Sequence, residues 1–177
     1  FLYLLHDYPD LMKELYRCIQ EVGMRFMKQM RQITGLPMRG MAIYDDDSAL
    51  LSPALFAEFE YPIFEAWYRE FCPDAGDHRF LHSDGNMTHL LGYLNQLGIN
   101  QVNLGPATDI AYIRQMMPRT VIYGHIPPFL VRNGTPQEIV ARVKEDFRKV
   151  GHDGGVVVDT AGSLNDHTPF ENLRALM

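Results

Sequence analysis

Apolar and polar positions alternate along this chain in two rhythms, one helical and one strand-like. From Pro9 to Thr34 the apolar residues Leu11, Leu15, Ile19, Val22, Phe26 and Met30 recur at helical spacing. They predict a long helix with one stripe turned to the core. The methionines of this segment, Met12, Met24, Met27 and Met30, read as packing material and not as a cofactor box. Gly35-Leu36-Pro37 stops the helix.

A repeating unit comes next. Met41-Ala42-Ile43-Tyr44 predicts a short strand ending in Asp45-Asp46-Asp47. Ser52-Pro53 opens a helix with Ser as N-cap and Pro at the first helical position, and Leu55, Phe59, Ile63, Trp67 and Phe71 mark its apolar face. His78 to His82 predicts the second strand and Met87 to Leu97 its helix. Ile99 to Leu104 predicts the third strand, with a helix from Asp109 to Met117. Arg119 to Tyr123 predicts the fourth, ending in Gly124-His125-Ile126-Pro127-Pro128. Thr135-Pro136-Gln137-Glu138 has the form of a capping box, and its helix runs to about Val150. Gly155 to Asp159 predicts the fifth strand, and Thr168-Pro169-Phe170-Glu171 a second capping box. Short, nearly continuously apolar strands alternating with helices imply a parallel sheet covered by helices. Both a doubly wound sheet and a (β/α)8 TIM barrel satisfy that pattern. No G-x-G-x-x-G or G-x-x-x-x-G-K-[ST] loop follows any strand, which weakens the nucleotide-binding versions.

The 177 residues, 46% of them hydrophobic, suit one domain with a substantial core. A whole barrel takes about 250 residues. Residues 1–177 are therefore expected to supply about the last five βα units of one barrel domain, incomplete at its amino-terminal side. The first residue, Phe1, and the apolar run to Tyr8 also read as the middle of a protein. The missing strands would come from the rest of the protein or from another chain, because open parallel edges are costly. A formal charge of −6 without a basic cluster argues against nucleic acid as partner. No apolar run reaches membrane-spanning length. Cys18 and Cys72, far apart, read as isolated thiols of a cytoplasmic protein.

Candidate chemistry gathers at the carboxyl ends of the strands, where α/β proteins bind ligands. These ends carry Asp45, Asp46 and Asp47, then His82 and Asp84, Asn103, His125 and Asp159. Asp84-Gly85-Asn86 is explained by an ordinary turn, but a turn does not ask for His82. Asp45 to Asp47 could form a solvated loop, Asn103 could satisfy backbone groups inside a barrel, and His125 could be a packed loop histidine. His6, His78, His89, His152 and His167 lie away from strand ends and read as surface residues. Two histidines and several carboxylates at one mouth could bind a divalent metal or do acid–base chemistry. No G-x-S-x-G elbow is present.

Several segments in order resemble the uroporphyrinogen decarboxylase superfamily. They are Asp46-Asp47 with Leu51-Ser52-Pro53-Ala54-Leu55-Phe56-Ala57-Glu58-Phe59 and Tyr61-Pro62, then His82-Ser83-Asp84-Gly85-Asn86, then Gly124-His125-Ile126-Pro127-Pro128 with Gly134-Thr135-Pro136-Gln137-Glu138, and finally Thr168 to Leu176. The resemblance implies a (β/α)8 barrel and either of two activities. Zinc-dependent methyltransferases of the superfamily carry His-x-Cys after the second strand seen here and another Cys after the last. The matching positions are His82, Asp84 and about Gly162, so a thiolate site is absent and any metal, such as zinc, would rest on harder ligands, His82 with Asp84. The decarboxylases place a histidine where Ala161-Gly162-Ser163 stands.

The leading expectation is a methyltransferase-like enzyme moving a methyl group from a small methylated or methoxylated donor to a corrinoid protein. His82, Asp84 and His125 would be catalytic, while Asp45, Asp46, Asn103 and Asp159 would bind substrate. The alternative is cofactor-free decarboxylation of a tetrapyrrole, with Asp45 or Asp46 at the pyrrole nitrogens. A catalytically silent small-molecule-binding barrel is the third reading.

Overall fold

The computed structural model describes residues 1–177 except Met38 and Asp153. Two helices lead, α1 (Leu2–Asp7) and α2 (Pro9–Thr34). Strand β1 (Met41–Tyr44) is followed by a 3-10 turn (Asp47–Leu50), α3 (Pro53–Leu55), a π-helical turn (Phe56–Glu60) and α4 (Tyr61–Phe71). Strand β2 (Arg79–Ser83) leads through a 3-10 turn (Thr88–Leu90) to α5 (Leu91–Gln96). Then come β3 (Gln101–Leu104), α6 (Ile110–Met116), β4 (Val121–Tyr123), α7 (Pro128–Asn133), α8 (Pro136–Val150), β5 (Val156–Val157) and α9 (Phe170–Arg174).

All five strands pair in parallel, in sequential order β1-β2-β3-β4-β5. Sequential order with a helix after each strand is the winding of a (β/α)8 barrel, here an open sheet of five strands. Among the described residues the outer edges of β1 and β5 carry no further strand. β5 is shorter than predicted, and the chain beyond it rejoins β4's continuation through a single bridge between Ile126 and Thr160.

The core lies between the sheet and its helices. Leu81, Val102 and Ile122 of the central strands meet Phe56, Phe71, Leu94 and Ile113, all fully buried. Two predicted caps form, at Ser52 and Thr135, and Asp109 caps a third helix. Ser52 Oγ accepts from Leu55 N, Asp109 from Tyr112 N, and Thr135 and Glu138 complete a capping box. The second predicted box does not form. Thr168 Oγ1 donates instead to Asn165 O at 2.6 Å, and Pro169 occupies the N-cap.

The α2 stripe departs furthest from expectation. Leu11, Leu15, Ile19, Val22, Phe26 and Met30 are 40–67% exposed, whereas Met12 is buried and Tyr16, Met24 and Met27 pack on the core. One flank of α2 docks on the α3–α4 segment through ion pairs Lys13–Glu58 and Lys28–Glu70, each 2.6 Å. Gly23 lies so close to the Trp67 ring that a Cβ would fall 2.8 Å from it. The stripe itself overlooks the unpaired edge of β1, where Leu15 and Ile19 line an open cleft with Ile43 and Tyr44. Helical periodicity fixes which residues share a face, but not what covers that face.

Candidate functional site

The strand ends converge as the alternation of side chains requires. Tyr44 of β1, His82 of β2 and Asn103 of β3 are register partners, so their side chains share one face of the sheet. Phe80, two residues before His82, and Tyr123 of β4 lie on that same face. Together with Asp159 they line a cavity of about 330 Å³.

Asn103 organises the centre. Its side-chain nitrogen donates to the carbonyls of Tyr123 and Thr160, both at 2.9 Å. With both N–H groups committed, its oxygen must face His82 Nδ1, 2.8 Å away. An amide oxygen only accepts, so Nδ1 carries a proton and the free lone pair of neutral His82 belongs to Nε2. That nitrogen lies 3.5 Å from Asp84 Oδ1. Two acceptors at this separation repel unless a proton or a cation stands between them.

Asp46 completes the cluster. Its Oδ1 accepts from Asp84 N at 2.6 Å, tying the loop after β1 to the loop after β2. Ligand atoms of Asp46, His82 and Asp84 lie within 4.8 Å of one another. One imidazole nitrogen and two carboxylates form a hard donor set with positions left for water or substrate, which fits a divalent ion of the zinc or manganese type. The Asn103 bond to the far nitrogen of His82 is the outer support such a ligand requires.

Gly162 sits directly against this cluster. A Cβ there would lie 2.3 Å from Asp84 Oδ1, and the residue has φ +112°. Positions 82, 84 and about 162, which the resemblance matches to the metal-binding positions of the methyltransferases, thus meet in space, and the last of them offers no ligand here.

The remaining site residues fall differently. Asp159 is exposed at the cavity wall, and its Oδ1 accepts from Thr160 N at 2.8 Å. Asp45 turns away from the cavity; its Oδ1 accepts from Asp47 N and Ser48 N and so holds the 3-10 turn. Asp47 lines the cleft beside α2. His125 does not line the cavity. It is 1% exposed, neither ring nitrogen has a hydrogen-bond partner of good geometry, and its carbonyl accepts from Arg142. Burial holds its pKa below the ordinary imidazole value, against a smaller opposing effect of the Thr108 backbone. The five histidines read as surface residues are all exposed.

Two features escape a reading by motif. Tyr44, Phe80 and Tyr123 wall the cavity, although only the two-residue period relative to His82 could have drawn attention to Phe80. Behind the site lies a network of Asp45, Ser48, Glu60 and Tyr16. Ser48 Oγ contacts both Asp45 Oδ2 and Glu60 Oε2, and Tyr16 OH donates to Glu60 Oε1 at 3.2 Å. Burial, with the Asp45 and Asp47 charges adding to it, raises the Glu60 pKa to about 7. The π-helical turn that ends at Glu60 aims its side chain there, a local irregularity frequent at functional sites.

A family model for uroporphyrinogen decarboxylase matches residues 1–177. Among solved structures, a methyltransferase from Methanosarcina mazei superposes with a TM-score of 0.64 at 23% identity, over 78% of this chain and 40% of that one. The chain thus spans less than half the length of that protein. No curated protein matches the sequence. Among the described residues no helix is long and apolar enough to cross a membrane.

Proposed function

The chain belongs to the uroporphyrinogen decarboxylase family, and from that premise we propose that it is the carboxyl-terminal part of a methyltransferase-like barrel enzyme. It would transfer a methyl group from a small methylated donor to a corrinoid carried by a partner protein. One observation carries the reading. His82 Nε2, with its lone pair fixed by Asn103, faces Asp84 and Asp46 at the wall of the cavity. Cleaving the carbon–heteroatom bond of a neutral donor requires the leaving atom to be protonated or cation-bound, and this cluster can hold a proton or a metal there. From a donor that is already an ammonium cation the amine leaves without that help. A divalent ion bound by Asp46, His82 and Asp84 would supply Lewis-acid polarisation of the leaving atom. His82 would hold the proton or ion, Asp84 would orient and share it, and Asn103 would fix the tautomer. Asp159 would face the donor from the cavity wall. The unpaired edge of β1 and the exposed α2 stripe would be covered by the remaining βα units of the barrel.

The activity after which the family is called favours a second reading, decarboxylation of a tetrapyrrole's acetate groups. That substrate is polyanionic, yet no lysine or arginine is among the described residues lining the cavity. The two readings separate in one assay series. Methyl transfer to reduced cobalamin, lowered about 100-fold or more by His82→Ala, supports the first. Conversion of uroporphyrinogen to coproporphyrinogen, or full transfer by His82→Ala, overturns it.

A further inference from the structure

The walls of the cavity point to the charge of the donor. Tyr44, Phe80 and Tyr123 stand side by side on the inner face of the sheet. Tyr44 and Phe80 have ring centroids 5.9 Å apart, and so do Phe80 and Tyr123, the latter pair edge-on at 78°. His82 extends the row, its ring 5.6 Å from Tyr44. In a barrel this inner layer is ordinarily filled by branched aliphatic side chains. Here three strands of the five contribute an aromatic ring instead, around a space of about 330 Å³. Around that space the formal charges are carboxylates: Asp159 in the wall, with Asp46 and Asp84 beside His82. No lysine or arginine is among the described lining residues, and the chain carries −6 overall.

Aromatic faces with a carboxylate nearby and no competing cation recognise methylated ammonium groups, whose charge is spread over methyls that offer no N–H to a hydrogen-bond acceptor. A neutral methoxy donor gains only apolar contact from these rings, and an anionic one is repelled by the carboxylates. We infer that the cavity walled by Tyr44, Phe80 and Tyr123 takes an N-methylated amine bound as its ammonium cation, permanently charged or protonated. The reaction after binding rests on the methyl-transfer reading, but the recognition itself does not. In the transfer step the carbon–nitrogen bond to one methyl breaks with both electrons staying on nitrogen. A neutral amine leaves, and the methyl passes to the two-electron nucleophile, the reduced corrinoid of the partner. When the donor is a protonated amine, Asp84 and His82 face its N–H.

Choline and its neutral isostere 3,3-dimethylbutan-1-ol, titrated calorimetrically into the 177-residue chain with chelator present, test the inference. Choline is expected to bind roughly tenfold or more tightly than the isostere. Phe80→Leu and Tyr123→Leu, with folding checked by circular dichroism, should each weaken choline roughly fivefold while leaving the isostere nearly unchanged. Equal binding of the two probes overturns the inference, as does tighter binding of methoxybenzene than of choline. In the methoxybenzene case methyl transfer itself still stands. Choline that binds as expected, yet loses no methyl to reduced cobalamin, supports the cation site and counts against transfer.

Discussion

Glu60→Gln should stabilise the protein above neutral pH and flatten the pH dependence of its stability. Ser48 has one hydroxyl proton and contacts two carboxyl groups, Asp45 and Glu60, so it can donate to only one of them. Both contacts are hydrogen bonds only while one of the two carboxyls is protonated. Glu60 is the one, because it is 5% exposed and burial holds its pKa at about 7. It donates to Ser48, Ser48 donates to Asp45, and Tyr16 donates to the other oxygen of Glu60.

Linkage sets the sign. The folded pKa lies above the ordinary value of 4.5 that the side chain regains once the chain unfolds. Below that value both states are protonated and the contribution is complete. Between about 4.5 and about 7 the unfolded chain ionises while folded Glu60 keeps its proton, so stability falls as pH rises. Above 7 the loss levels off. At about 1.4 kcal/mol for each tenfold change in proton affinity, and discounted for partial solvent screening, the loss is on the order of 2 kcal/mol. A glutamine amide donates to Ser48 and accepts from Tyr16 at every pH, so the variant keeps the bonds without the titration. Urea unfolding at intervals from about pH 4.5 to about pH 8 reads the difference. Coincident profiles for the two proteins would refute the assignment of the proton to Glu60.

Asn103→Leu leaves the part-buried carbonyl of Tyr123 and the buried one of Thr160 without their donor and should cost about 2–4 kcal/mol in urea unfolding. A loss under about 0.5 kcal/mol would contradict the central role given to this amide. If a metal binds, the same change should lower zinc affinity about 10–100-fold by calorimetry, through the loosened His82. On the surface, Ile19→Ser should change stability by less than about 0.5 kcal/mol, since Ile19 is exposed. Leu94→Ala, at a fully buried site, should cost about 2–5 kcal/mol in the same assay.

The sequence alone determined the alternation of strands and helices, and with it a parallel sheet. That pattern suits a doubly wound sheet as well as a barrel, and the sequential winding β1-β2-β3-β4-β5 belongs to the structure. Local chemistry sufficed for the alternation. Ser52, Asp109 and Thr135 cap helices wherever their backbone amides lie, and short apolar strands bury on both faces. It also determined that His82, Asp84, Asn103 and Asp159 sit at one end of the sheet, because parallel strands joined by helices all end on the same side. What only the tertiary structure decided is which of those groups meet. Gly162 reaches Asp84, far earlier in the chain, because the backbone bridges back to Ile126 after β5. His125, at an equally eligible strand end, is turned into the interior. Asp45 is claimed by a local turn, and Glu60 enters from a helix that no strand-end argument reaches. The α2 stripe shows the same limit from the other side, since its period was legible while its exposure was not. Periodicity and capping are short-range and written in neighbouring residues. Convergence and coverage depend on packing between distant segments, which only the assembled fold contains.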